Sequence, residues 1–173
     1  RPVAANLDQV IVVIASEPEP DWLLLDQYLA ACEHRDFEAC IVVNKIDQLQ
    51  DRTRLEDQLR VYERIGYACF RLSAHTGEGV TALQNRLQSR VSMLAGQSGV
   101  GKSSLTNTLL PDRQIRTRQL SEKAGLGRHT TTAATLYHLP DGGDLIDSPG
   151  VAVFGLAEMT ASDLAYGYRE FKD

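Results

Sequence analysis

The sequence lacks any apolar run approaching the roughly 20 residues a membrane-spanning helix needs, and nothing resembling a signal peptide precedes its first apolar stretch. It has only three cysteines, Cys32, Cys40 and Cys69, with no C-x-x-C pair among them. They lie in or beside apolar segments and are odd in number, so buried reduced thiols are expected instead of a disulfide or a metal site. Basic residues are the minority: 18 Lys and Arg against 23 Asp and Glu leave a net charge of −5. That balance argues against general nucleic-acid affinity, and no DNA partner is expected. These absences point to a soluble, cytoplasmic protein with no membrane partner, expected to be a monomer. The chain also starts at Arg1 without Met, as a fragment or an excised domain would. What is present, 173 residues with 43% hydrophobic and 24% charged content, suits one well-buried α/β domain and is too short for two ordinary ones.

One stretch organises the rest. Gly96-Gln97-Ser98-Gly99-Val100-Gly101-Lys102-Ser103-Ser104 fits the phosphate-loop pattern G-x-x-x-x-G-K-[ST] at every fixed position. The apolar run Val91 to Ala95 precedes it and leucines at helical spacing from Ser104 to Leu110 come after it, which is the strand, loop, helix context the motif requires. Glycines at 96, 99 and 101 allow a tight turn that aims backbone N–H groups at one point, at a helix N-terminus. A triphosphate fits such a concave anion site. Lys102 would reach the β and γ phosphates, and the Ser103 hydroxyl would join the shell of a magnesium ion that keeps most of its water.

Ahead of this loop, Val10 to Ile14 is a continuous β-branched run of the kind buried on both faces of a parallel sheet. The segment Ser16 to Pro20 breaks it, and Asp21 is a plausible N-cap for a helix carrying Leu24, Leu25, Tyr28, Leu29 and Cys32, with Trp22 as a packing residue. A second strand, Ala39 to Val43, runs into Asn44-Lys45-Ile46-Asp47, an N-K-x-D match. A carboxylate at Asp47 can accept bonds from N1–H and the 2-amino group of guanine; adenine would leave that buried carboxylate unpaired, a discrimination worth roughly 10⁴–10⁵. Asn44 would bridge the base edge and the phosphate loop, and the stem of Lys45 would lie along the base plane. Arg52 to Ile65 reads as an amphipathic helix with Leu55, Leu59, Val61 and Tyr62 among its charges, and Tyr67 to Leu72 as a third strand. That strand ends at Ser73-Ala74, whose small side chains let backbone N–H groups approach the guanine carbonyl. Val80 to Ser89 is the helix returning to the phosphate-loop strand.

Beyond the phosphate loop, Pro111 to Arg128 carries five basic residues against Asp112 and Glu122, locally basic in an acidic chain. Gly125-Leu126-Gly127-Arg128-His129-Thr130-Thr131-Thr132 closes this stretch, and a threonine here, Thr130 or Thr131, could join the magnesium shell when a γ-phosphate is bound. A hairpin pairs Ala133 to Leu139 with Asp144 to Ile146 across Pro140-Asp141-Gly142-Gly143. It delivers Asp147-Ser148-Pro149-Gly150, a D-x-x-G match in which Asp147 would hold magnesium through water and the Gly150 N–H would contact the γ-phosphate. A last helix begins at Met159-Thr160, with Leu164, Tyr168 and Phe171 along one side.

The guanine-reading motifs precede the phosphate loop, whereas the conventional order of a translation-factor-type GTPase places them last. That order resembles the circularly permuted GTPases. Gly125 to Thr132 and Asp147-Ser148-Pro149-Gly150-Val151, with Phe154-Gly155-Leu156 beyond them, resemble the small ribosomal subunit-dependent GTPases called RsgA or YjeQ, over essentially the whole chain. The resemblance implies a mostly parallel P-loop sheet with helices on both faces. It also implies hydrolysis of GTP to GDP, in late maturation of the small ribosomal subunit and stimulated by it, with the subunit's rRNA as partner. The family's oligonucleotide-binding barrel and zinc module are not expected here, nor is zinc. Val151 stands where many GTPases carry a water-positioning glutamine, and an aliphatic chain can neither orient nor deprotonate water; the resemblance suggests His129 for that role, beside Lys102 on the phosphates. The rival readings are a guanine-nucleotide-dependent ribosome-binding sensor in which hydrolysis is incidental, an ATPase or nucleotide kinase on the same phosphate loop, and a GTPase of large-subunit assembly.

Overall fold

In the computed structural model, residues 7–110, 135–147, 167 and 169 are described. The β-branched run becomes β1, Gln9–Ala15, and all seven of its residues are buried. A strand apolar on both sides must lie inside a sheet with both faces covered. It does: β1 pairs in parallel with β2, Glu38–Asn44, on one side and with β4, Val91–Gly96, on the other. Outside β2 lies β3, Ala68–Arg71, also parallel. On the far side of β4 lies β6, Asp144–Asp147, parallel to it, and β5, Thr135–His138, closes that edge antiparallel to β6. The strand order is therefore β3-β2-β1-β4-β6-β5.

Alternation along β1 sorts the core into two layers. Val10, Val12 and Ile14 pack with Leu25, Tyr28, Leu29 and Cys32 of α1, Trp22–His34, and with Leu59 and Tyr62 of α2, Thr53–Arg64. Ile11, Val13 and Ala15 face the other way, onto Val80, Leu83 and Leu87 of α3, Val80–Leu87, and onto Leu105 and Leu109 of α4, Lys102–Leu109. Helices thus cover both faces, as expected. Asp21 caps α1, its carboxylate accepting from the Leu24 N–H at 2.9 Å, and Trp22 stacks on Tyr62 with ring centroids 6.0 Å apart.

Several local expectations are corrected. Val61 is half exposed, because the buried line of α2 runs through Leu59 and Tyr62, and a residue two positions from Leu59 lies on the opposite side of the helix. Cys32 and Cys40 are buried, but Cys69 is only partly so, since β3 is an edge strand; all three are free thiols. The phosphate-loop helix starts at Lys102 instead of Ser104, within the usual spread of such boundaries. The basic stretch from Pro111 to Arg128 and the helix placed from Met159 lie outside the described residues, apart from Gly167 and Arg169.

Candidate nucleotide site

Parallel strands deliver their C-terminal ends to one edge of the sheet, and the order turns back between β1 and β4, where α/β folds form a ligand crevice. β4 ends in Gly96 and the phosphate loop, β2 in Asn44 and the N-K-x-D turn, and β3 leads into Ser73-Ala74. The three motifs, separated in sequence, meet at this edge.

Asn44 joins them. It is almost wholly buried, its Nδ2 donates to the Val100 carbonyl of the phosphate loop at 2.9 Å, and its Oδ1 accepts from the Ala74 N–H at 2.9 Å. One amide therefore ties the phosphate loop to the Ser73-Ala74 turn. The motif assigns Asn44 a bridge between the base edge and the phosphate loop and keeps the Ala74 N–H for the guanine carbonyl; here the Asn44 bond to the phosphate loop is present, while its Oδ1 and the Ala74 N–H satisfy each other. A buried amide cannot wait unpaired without cost. Gly101 makes the approach possible: at φ +91° it occupies left-handed backbone space, and a Cβ there would overlap Asn44 Nδ2. Gly96, at φ +138°, is required similarly, since a Cβ would overlap the Val13 carbonyl oxygen of neighbouring β1.

The lysines also bind backbone. Lys102 Nζ donates to the carbonyls of Gly96, 2.7 Å, and Gln97, 2.8 Å, within its own loop. Burial lowers its pKa, a shift opposed by Asp147, whose own carboxyl is raised by burial and pulled back by Lys102. Lys45, in left-handed conformation at φ +63°, donates from Nζ to Glu17 O at 2.7 Å and Gly99 O at 2.8 Å. Its stem thus spans from the N-K-x-D turn to the phosphate loop. Asp47 comes next in a single 3₁₀ turn, Ile46–Gln48, and is exposed. The expectation of a buried carboxylate is corrected accordingly: among the described residues Asp47 stands exposed.

Ser73 is wholly buried, and its Oγ accepts from the Thr76 N–H at 3.1 Å, so its small hydroxyl shapes the turn. Ser98 and Ser104 are exposed, whereas Gln97 and Ser103 are half-buried at the crevice. His129, Thr130, Thr131 and Gly150 lie outside the described residues. Motif reading misses two residues. Thr108 donates from Oγ1 to Ala74 O and Ser104 O, both at 2.9 Å, linking α4 to the Ser73-Ala74 turn. Ser16, just past β1, donates from Oγ to Lys45 O at 2.8 Å. The only sequence signal for Ser16 is a small polar residue at the C-terminal end of a buried parallel strand.

The family model of the RsgA GTPase matches residues 1–157. The chain belongs to the RsgA GTPase family. Among curated relatives, it is 49% identical to the small ribosomal subunit biogenesis GTPase RsgA of Photorhabdus laumondii, over 100% of this chain and 50% of that protein. It is 48% identical to the protein of the same name from Pseudomonas putida, over 100% of this chain and 51% of that one. The chain thus spans about half the length of these relatives. Among solved structures it is similar to YjeQ from Thermotoga maritima, with TM-score 0.76 and 33% identity over 97% of this chain and 56% of that one. It is also similar to YloQ, described as a circularly permuted GTPase, with TM-score 0.65 and 27% identity over 95% of this chain and 52% of that one. RsgA-family membership and the YloQ likeness agree with the permuted motif order along β2, β3 and β4.

Proposed function

We propose that this chain binds GTP with magnesium and hydrolyses it to GDP and phosphate, acting in the cytoplasm in late maturation of the small ribosomal subunit, which stimulates it. The observation that carries the reading is the Asn44 bridge, which joins a guanine-type N-K-x-D turn and a Ser-Ala turn to a complete phosphate loop.

Magnesium fits the donors present. The candidate oxygens are the Ser103 hydroxyl and the Asp147 carboxylate, a hard and sparse set suited to an ion that keeps most of its water and takes its other ligands from phosphate. Among the described residues no group of three or more His, Cys, Asp or Glu could hold a metal ion. When bound, the ion would neutralise charge developing on the β and γ phosphates. The chain's own part is to aim loop N–H groups at the phosphates, to swing the Lys102 ammonium from the Gly96 and Gln97 carbonyls onto them, and to present Asp47 to the base. Thr130 or Thr131 would complete the metal shell, the Gly150 N–H would meet the γ-phosphate, and His129 would orient the attacking water.

The test is steady-state GTP hydrolysis with and without purified small ribosomal subunits, using the parent protein with its flanking regions restored. Strong stimulation that disappears in His129→Ala is the expected result. GTP-dependent subunit binding without stimulation would instead support the sensor reading, which Val151 after the D-x-x-G favours. Competition with ATP and the Asp47→Asn substitution test the base: ATP should not displace GDP, and the substitution should weaken guanine binding.

A further inference from the structure

Lys45 is one of three described non-glycine residues held at positive φ, and the only one of them inside a nucleotide motif. Left-handed backbone is strained for a side-chain-bearing residue and persists only where neighbours over-determine it. The neighbours are visible. Ser16 N–H donates to Asn44 O at 3.2 Å, extending the β1–β2 ladder by one residue, and Ser16 Oγ donates to Lys45 O at 2.8 Å. From the same loop, the Glu17 carbonyl accepts Lys45 Nζ. The β1–α1 loop therefore grips Lys45 at both its backbone and its ammonium.

The residues directly after Lys45 give that grip its consequence. The chain turns at once into Ile46–Gln48, with Ile46 buried as an anchor and Asp47 projecting at the exposed rim. The direction of the Asp47 carboxylate is set by the backbone on its N-terminal side, which is the left-handed turn at Lys45. We infer that Ser16 is a positioning residue for guanine recognition: its hydroxyl fixes the Lys45 carbonyl, holds the left-handed turn, and so aims Asp47 at the base edge. The residue belongs to none of the nucleotide motifs, and it acts without touching nucleotide. This inference rests on the guanine reading proposed for the crevice.

The experiment measures the affinity of the 173-residue chain for GDP, ADP and inorganic tripolyphosphate, before and after Ser16→Ala and Ser16→Thr. The parent chain should prefer GDP to ADP; no preference would overturn the guanine reading and the inference with it. Given that preference, Ser16→Ala should weaken GDP up to about tenfold, the upper end of what one part-buried hydrogen bond contributes, with tripolyphosphate affinity unchanged. Ser16→Thr, which keeps the hydroxyl, should restore GDP affinity. Unchanged GDP affinity in Ser16→Ala would overturn the inference while leaving the guanine reading intact. So would an equal loss for GDP and tripolyphosphate, which would mark Ser16 as a general support of the crevice.

Discussion

Asn44→Ala is the sharpest perturbation of this site, because a single amide satisfies two partners from different segments. Truncation removes the donor to Val100 O and the acceptor from Ala74 N–H, each bonded at 2.9 Å. Val100 is wholly buried and Ala74 only partly so, so water can repair one loss and not the other. An unsatisfied buried polar group costs about 1–3 kcal/mol, and the pair together should cost about 2–4 kcal/mol of folding free energy without nucleotide. For a chain of this size that lowers Tm on the order of 10 °C. Urea unfolding monitored by circular dichroism gives the free energy, and an unchanged m-value would show that the unfolded state is unaffected. GDP affinity should fall in the same variant, because the phosphate loop and the Ser73-Ala74 turn are no longer held in register. A stability loss below about 0.5 kcal/mol, the size expected of an indifferent surface change, would refute the reasoning that Asn44 joins the motifs.

Three further expectations concern packing and titration elsewhere in the fold. Arg169 stacks over Tyr67 with its guanidinium carbon 4.1 Å from the ring centroid and donates to Glu33 at 2.6 Å; Arg169→Ala should cost about 1–2 kcal/mol in urea unfolding, because the part-buried Glu33 loses one charged partner while keeping its bond from the Tyr67 hydroxyl. The forked contact of Arg71 holds the Glu56 carboxyl below its ordinary value of 4.5, a shift that burial partly opposes. A depressed carboxyl stabilises the fold above its unfolded pKa and loses that contribution as pH falls through its folded pKa, so Glu56→Gln should cost about 1 kcal/mol at pH 7 and flatten the acid limb of a stability-against-pH profile. Burial pushes the thiols of Cys32, Cys40 and Cys69 up to about 12, so iodoacetamide at pH 8 should label the native chain slowly and the urea-unfolded chain fast, as mass spectrometry would report.

Much of this protein was determined by sequence alone, wherever the information is local. The β-branched run of β1 demands burial on both faces, Asp21 caps its helix, and the glycines of the phosphate loop allow a turn that no other residue could make. The order of the motifs along the chain was enough to indicate permutation, because order is a property of sequence. Only the tertiary structure decided how the motifs join. The four-residue match assigns Asn44 to the base edge and the phosphate loop, but the particular partners, Val100 O and the Ala74 N–H, stand 56 and 30 residues away, and no periodicity reports them. Val61 fits an apolar pattern and yet faces water, since spacing along α2 leaves open which line of the helix meets the sheet. Ser16 carries no motif, and its role emerges only when parallel pairing brings the end of β1 beside the turn after β2. Local chemistry specifies elements and loops, while hydrogen-bond satisfaction across the sheet edge, which depends on every strand being in place, selects the geometry that assembles them into a site.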